Sequence, residues 1–547
     1  MFDDPVREQV ALRAPGKVMR LSRMGAMFPT RLSFLRSLLR RLMHDGARVE
    51  RRVWNMYSDG FGHAVYCLTL GGHTYSLVAV STDLPDEMRT DRVIATAWDT
   101  SYTLYEGVPD AAELARLVQS LPLQEAARFS ARELILSRAN KSVRLFAHVV
   151  QSLREGRQPD PALIGQVGYL MRTTAVYGNG KFGIADRDAF ADRPGLEGPF
   201  AAEMLTVWLI RHFTHDLVEH IGGRPLDRAL KRQLGIGNAT GLGMAPFLVN
   251  HPVLLNNWMM ARETALARVC ALQALTTQQQ HRLRTLAQRA ASHLREWNVS
   301  DPAHQARIVS LRKDWNIFCA SIDLTVQQPL KIALQAASTC SVDLQELAVA
   351  WMIEPFGDLV DDLTADMVDH GGHVYPPLTD TGQLGALIRA QAGWALDADY
   401  SDPKNCAKFW YVSANKHEPR LGSRFEEPGA ALESPLDIGR RIKACFDDLP
   451  PSVTPLSEFL AHHPEHAFIA KRLQSLPQHP YSEIRDNLIA DTCRPIDMLR
   501  CKLAFFGAAK FDPKSELWTR ITLCQGAPLG DELPLAVDDW WLPSFAA

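Results

Sequence analysis

From about residue 110 to residue 400, apolar side chains recur every three or four positions. AAELARLVQSL, ARELILSRANKSVRLFAHVVQSL and PFAAEMLTVWLIRHFTHDLVEHI all carry this spacing, which predicts helices that each bury one face. The longest such pattern runs from 253 to 293, with a break near Thr276 and Thr277. Further helices are predicted at 303–337, 343–369, 382–396, 436–448, 455–475 and 481–505. Breaks rich in glycine and proline fall at 193–199, 222–225, 371–377 and 426–435. No fixed-period repeat is visible, which argues against a solenoid.

The pattern differs on either side of this block. Residues 29–44, PTRLSFLRSLLRRLMH, predict a basic amphipathic helix. Leu32, Leu35, Leu39 and Leu42 form one stripe, with Arg36, Arg40 and Arg41 elsewhere. It reads either as a membrane-surface or partner helix or as an ordinary helix with leucines inward. The ordinary reading is favoured, since scattered arginine commonly solvates a helix face. Over 48–106 the runs VERRVWNMY, HAVYCLTL, TYSLVAVS and RVIATAWDTSYTLYE are rich in β-branched and aromatic residues, which predicts three or four antiparallel strands. Gly71-Gly72 marks a hairpin and Asp59-Gly60 an earlier turn. Near the end of the chain, LWTRITLCQ reads as a strand that could return to this sheet. The fold class that follows is α+β and predominantly α-helical, a helical core with a small N-terminal antiparallel β-sheet. Residues 1–107 hold the first helix and the sheet. Residues 108–398 form the main helical domain with its glycine-rich loops. Residues 399–547 form a loop-rich, helical region packed on that core.

Composition narrows the function classes. A chain of 547 residues with 46% hydrophobic and 22% charged content is that of a globular protein; the length suggests two to four packed subdomains. A formal net charge of -3 argues against a general nucleic-acid binder. No apolar run approaches the roughly 20 residues that span a bilayer. The first residues lack the apolar core of a secretory signal. Nine cysteines without CxxC spacing fit reduced thiols better than a disulfide framework. A cytoplasmic protein without a membrane partner is expected; a homo-oligomer stays open.

Two glycine-rich runs carry the candidate chemistry. GIGNATGLGMAP occupies 235–246, ahead of a long helical pattern. Glycine weakens helix and strand interiors, so the run predicts an irregular, bare backbone. Such a backbone either presents N–H groups to an anion or permits a tight helix crossing. RTTAVYGNGKFG, residues 172–183, is the second run, placed at the end of a predicted helix. The first run contains GxGxxTG, but no buried strand precedes it, which argues against a dinucleotide fingerprint. A P-loop motif is absent as well. These runs supply Arg172, Thr173, Asn179, Gly180, Lys181, Asn238, Thr240 and Gly241 as anion-binding candidates. Tyr177 and His251 adjoin them as acid/base candidates. Lys141 is a third, on a predicted helix face shared with Arg138 and Ser142.

The polar, aromatic segment 399–430 adds Lys416, Arg420 and Arg424, which could clamp a carboxylate bidentately. Its basic residues interleave with Phe409, Trp410 and Tyr411, a pattern also used for single-stranded nucleic acid. They could equally pair with Glu418, Glu426 and Glu427. Three sets resemble metal ligands: His212, His215 and Glu219; Asp358, Asp361, Asp362, Asp366 and Asp369; and His462, His463 and His466. Ion-paired or exposed surface is favoured for each, so no metal ligand and no cofactor is assigned. The leading expectation is an enzyme for a small anionic molecule, an organic acid or activated ester, acting by elimination, isomerisation or group transfer. The alternatives are a metal-dependent enzyme and a non-enzymatic helical interaction protein.

Overall fold

The computed structural model describes residues 12–24, 28–83, 98–123, 130–142, 145–173, 192–198, 200–241, 252–365, 378–401, 435–484, 500, 503–515 and 518–545. Nine strands form one mixed sheet in the order β1-β2-β3-β4-β5-β6-β7-β9-β8. They are β1 (Val49–Met56), β2 (Gly62–Leu70), β3 (His73–Ser81), β4 (Thr100–Glu106), β5 (Glu133–Lys141), β6 (Tyr169–Thr173), β7 (Gly235–Gly241), β8 (Lys510–Ser515) and β9 (Trp518–Leu523). β6 and β7 run parallel, and the other described neighbours run antiparallel. The expectation of a small N-terminal sheet is therefore overturned. The sheet is large and draws strands from residues 49 to 523.

The first four strands stand where the β-branched runs lie, and Gly71-Gly72 makes the β2–β3 hairpin, both residues with positive φ. β9 does return to the sheet, pairing with β7. β5, β6 and β7 depart from expectation. The three- and four-residue spacing predicts a helix through 131–153; the chain instead forms β5 and then helix Leu145–Arg154. β5 is covered on both faces, so Leu134, Ile135 and Leu136 are buried in succession. A doubly buried strand shows no alternation and mimics a buried helix.

The two sheet faces are covered unequally. Ala64, Tyr66, Leu77, Ala79, Tyr102 and Leu104 join the main core. Val65, Cys67, Val78, Val80 and Tyr105 form a second cluster under Leu117 and Leu121, from helix Ala111–Ser120 and the turn that follows. Helix Ala201–Gly222 lies at the centre of the main core and is buried nearly all round. Its Arg211 is fully enclosed and donates to four backbone carbonyls, those of Leu234, Pro528, Arg232 and Ala527. It thereby ties this helix to the start of β7 and to the C-terminal segment. The long helical pattern after 253 does break at Thr276, which caps helix Thr277–Glu296 through a reciprocal bond with Gln279. Among the described residues, no helix is long and apolar enough to cross a membrane.

Helix Phe34–His44 is neither a surface helix nor solvated by its arginines. Its leucines are buried as expected, but Arg36 is 2% exposed. Arg36 donates to both Glu354 oxygens at 2.7 and 2.6 Å and to Asp538 at 2.7 Å. Arg31 and Arg40 join the same network through Asp361 and Asp538. A second network ties Arg13, Arg23 and Arg262 to Glu263 and Glu346.

Candidate functional site

The glycine-rich run 235–241 is itself a strand, β7, entered from helix Arg228–Gln233. The expected bare loop is corrected here. Its first two glycines answer to packing. A Cβ on Gly235 would meet the Leu523 carbonyl oxygen at 2.2 Å, and one on Gly237 would meet the Tyr169 ring at 2.7 Å. Close approach by β9 and by Tyr169 requires glycine at both positions. Thr240 and Gly241 continue the strand, opposite Thr519 and Trp518.

Arg172 and Thr173 likewise end a strand, β6, rather than a helix. The register sets Arg172 opposite Asn140, Thr173 opposite Ala139 and Lys141 opposite Met171 on β5. Across the parallel pair, Arg172 stands beside Gly237. Facing residues in a sheet share a face, and successive residues alternate. Arg172, Asn140 and Arg138 therefore lie on one face; Lys141, Thr173 and Ser137 lie on the other. The helical face expected for Arg138 with Lys141 does not exist, because a period of two separates them.

Polar groups link these strands. The Asn238 side chain donates to the Thr173 carbonyl at 2.7 Å, and the Ser137 and Thr173 hydroxyls are 2.7 Å apart. Asp99, just ahead of β4, donates its backbone N–H to Asn140 at 2.9 Å. Its carboxylate accepts the Lys141 backbone N–H at 2.8 Å. All six residues with Arg172 are buried. The Lys141 ammonium lies 5.6 Å from the Phe61 ring and 5.2 Å from the Phe146 ring, within cation–π range of both.

Four candidates, Lys141, Arg172, Thr173 and Asn238, thus come together on three neighbouring strands, and Thr240 and Gly241 continue β7 beside them. Residues 172 and 173 of one glycine-rich run stand at the carboxyl end of β6, and residues 235–241 of the other form its parallel neighbour β7. Ligands of open sheets gather at such carboxyl ends. Tyr177, Asn179, Gly180, Lys181, His251, Lys416, Arg420 and Arg424 lie outside the described residues. Asp99, Asn140 and Ser137 were not among the expected residues; reading 133–141 with a period of two would have placed Asn140 beside Arg138 and Ser137 beside Lys141.

Among the described residues, the His212 and Asp358 sets that resemble metal ligands do not gather as ligands. His212 and His215 are enclosed; burial, then Arg211 and Lys231, lower His212 to about 3 and His215 in the same direction. One His215 ring nitrogen is 3.1 Å from the Leu234 carbonyl. Glu219 accepts from the Leu226 N–H and from Lys231 at 2.9 and 3.0 Å. Asp361 pairs with Arg31 and Asp362 with Arg268, as ion-paired surface would; Asp366 and Asp369 lie outside the described residues. No protein-family model matches this chain, and no curated protein or solved structure matches it either.

Proposed function

We propose that this chain is an enzyme that holds a small anion, an organic acid or its activated ester, on the Arg172 face at the ends of β5, β6 and β7. The observation that carries this reading is the buried, arginine-bearing end of β6 lying beside the glycine-rich strand β7. Arg172 and Arg138 would clamp a carboxylate or phosphate, with Asn140 fixing its orientation. A guanidinium seated among buried groups binds an anion more strongly than one in water. The chemistry proposed is elimination, isomerisation or group transfer. A cytoplasmic setting, with a small molecule rather than nucleic acid as partner, belongs to the same reading. It is supported by the net charge of -3 and by six free thiols among the described residues.

A thermal-shift series with carboxylates, phosphates and acyl-CoA tests it. One anion class should raise Tm, and Arg172→Ala should abolish that rise while Arg172→Lys keeps part of it. The reading fails if no anion stabilises the protein, or if Arg172→Ala responds as the parent does.

A further inference from the structure

Four side chains with metal-binding atoms converge far along the chain from the sheet site. Helix Pro435–Asp447 ends one residue before Asp448. Helix Leu456–His462 ends at His463, which caps it, and Pro464 begins the short turn that carries Glu465 and His466. Each of Asp448, His463, Glu465 and His466 offers one ligand atom, and these atoms all lie within 4.8 Å of one another. The His466 Nε2 is 2.8 Å from an Asp448 oxygen and 3.9 Å from a Glu465 oxygen. The His463 Nδ1 is 3.3 Å from Glu465.

The two imidazoles are held in place without a ligand. Phe459 stacks on His463 at 5.0 Å and on His466 at 5.8 Å, and the two rings lie 5.6 Å apart at 18°. His466 is 5% exposed, while Asp448 and Glu465 open towards solvent, so an ion has an entry path. His462 is not part of the set; its Nδ1 is 2.9 Å from the Glu458 carbonyl.

We infer that Asp448, His463, Glu465 and His466 form a binding site for a divalent transition-metal ion of the zinc class. Two imidazoles and two carboxylates suit zinc. Bonds of 2.0–2.1 Å in a tetrahedron set ligand atoms about 3.4 Å apart, within the spread seen here. Four protein ligands leave no open position, so the ion's role is structural. It clamps the end of helix Pro435–Asp447 to the turn between helices Leu456–His462 and Ala467–Ser475.

The test uses the full chain, stripped with a chelator, and titrated with ZnCl2 by calorimetry and with CoCl2 by visible absorption. The expected result is one equivalent bound, d–d bands of four-coordinate cobalt, and a rise in Tm of several degrees with zinc. His463→Ala and Asp448→Asn, both at partly exposed side chains, should each weaken zinc by about tenfold or more. His462→Ala should bind as the parent does. Absence of stoichiometric zinc binding overturns the proposal. So does binding that both His463→Ala and Asp448→Asn leave unchanged.

Discussion

Two buried ionic networks flank the N-terminal helices, and they differ in charge count. In one, Arg31, Arg36 and Arg40 face Glu354, Asp361 and Asp538, three against three. In the other, Arg13, Arg23 and Arg262 face Glu263 and Glu346, three against two. The titration shifts differ between the two networks. Burial works against Asp538, yet Arg36, Arg40 and Arg31 hold it at about 2. Burial, then the charge of Arg13, lowers Arg262 to about 9 and Arg23 to about 10. In the balanced network Asp538 and Arg31 gain from their partners, while burial still raises Glu354 and lowers Arg40. In the unbalanced one Glu263 offsets the desolvation of Arg23 and Arg262 only in part.

Removing an acid separates the networks most. Glu346→Gln leaves three buried guanidiniums with one carboxylate and should cost about 3–5 kcal/mol in urea unfolding followed by circular dichroism. Glu354→Gln should cost less, because Asp538 still accepts from Arg36. Equal losses would show that charge count does not decide. The reverse contrast removes a cation. Arg36→Met strands Glu354 and should cost about 3 kcal/mol or more, whereas Arg262→Met should cost about 1–2 kcal/mol. After Arg262 is gone, Glu263 keeps Arg13 and Glu346 keeps Arg23.

Acid tests the burial of single groups rather than the charge count. Asp538 sits below its ordinary 3.8, so its stabilisation is complete above that value and is lost only as pH falls toward 2. His212, at about 3, and His293, lowered by burial to about 4, both lie below their ordinary 6.5. Below pH 6.5 the unfolded chain takes up protons that these two do not. Stability should therefore drop by about 1.4 kcal/mol per histidine for each pH unit below 6.5, until each folded value is reached. Melting curves from pH 7 to 4.5 check this, and His293→Gln should flatten the slope. The smallest effect belongs to an exposed pair: Arg228, 60% exposed beside Asp531 and Glu532, should change stability by under about 1 kcal/mol as Arg228→Ala. A loss comparable to Arg36→Met would mean that burial does not set the worth of these pairs.

The glycine runs show how the site was half legible. Composition marked 235–246 as bare backbone for an anion or for close packing, and Gly235 and Gly237 pack closely against Leu523 and Tyr169. It did not show that residues 172–173 and 235–241 lie in neighbouring parallel strands. β6 has five residues and β7 is glycine-rich, so neither carries a β-branched signal. Arg172 was singled out as a candidate by its charge beside a glycine run; Asp99 and Asn140 were not, because they meet only through the β4–β5 register.

By itself the sequence determined the first four strands, the Gly71-Gly72 hairpin, the break at Thr276 and the helix starts near 302, 342 and 381. Each depends on local periodicity, turn chemistry or capping within a few residues. Only the tertiary structure decided the nine-strand order, the faces of Lys141 and Arg172, and the burial of Arg36. Arg36 meets its partner Asp538 across 502 positions. No local pattern encodes such a pairing, because the same arginine would solvate a helix face wherever no distant acid was folded against it.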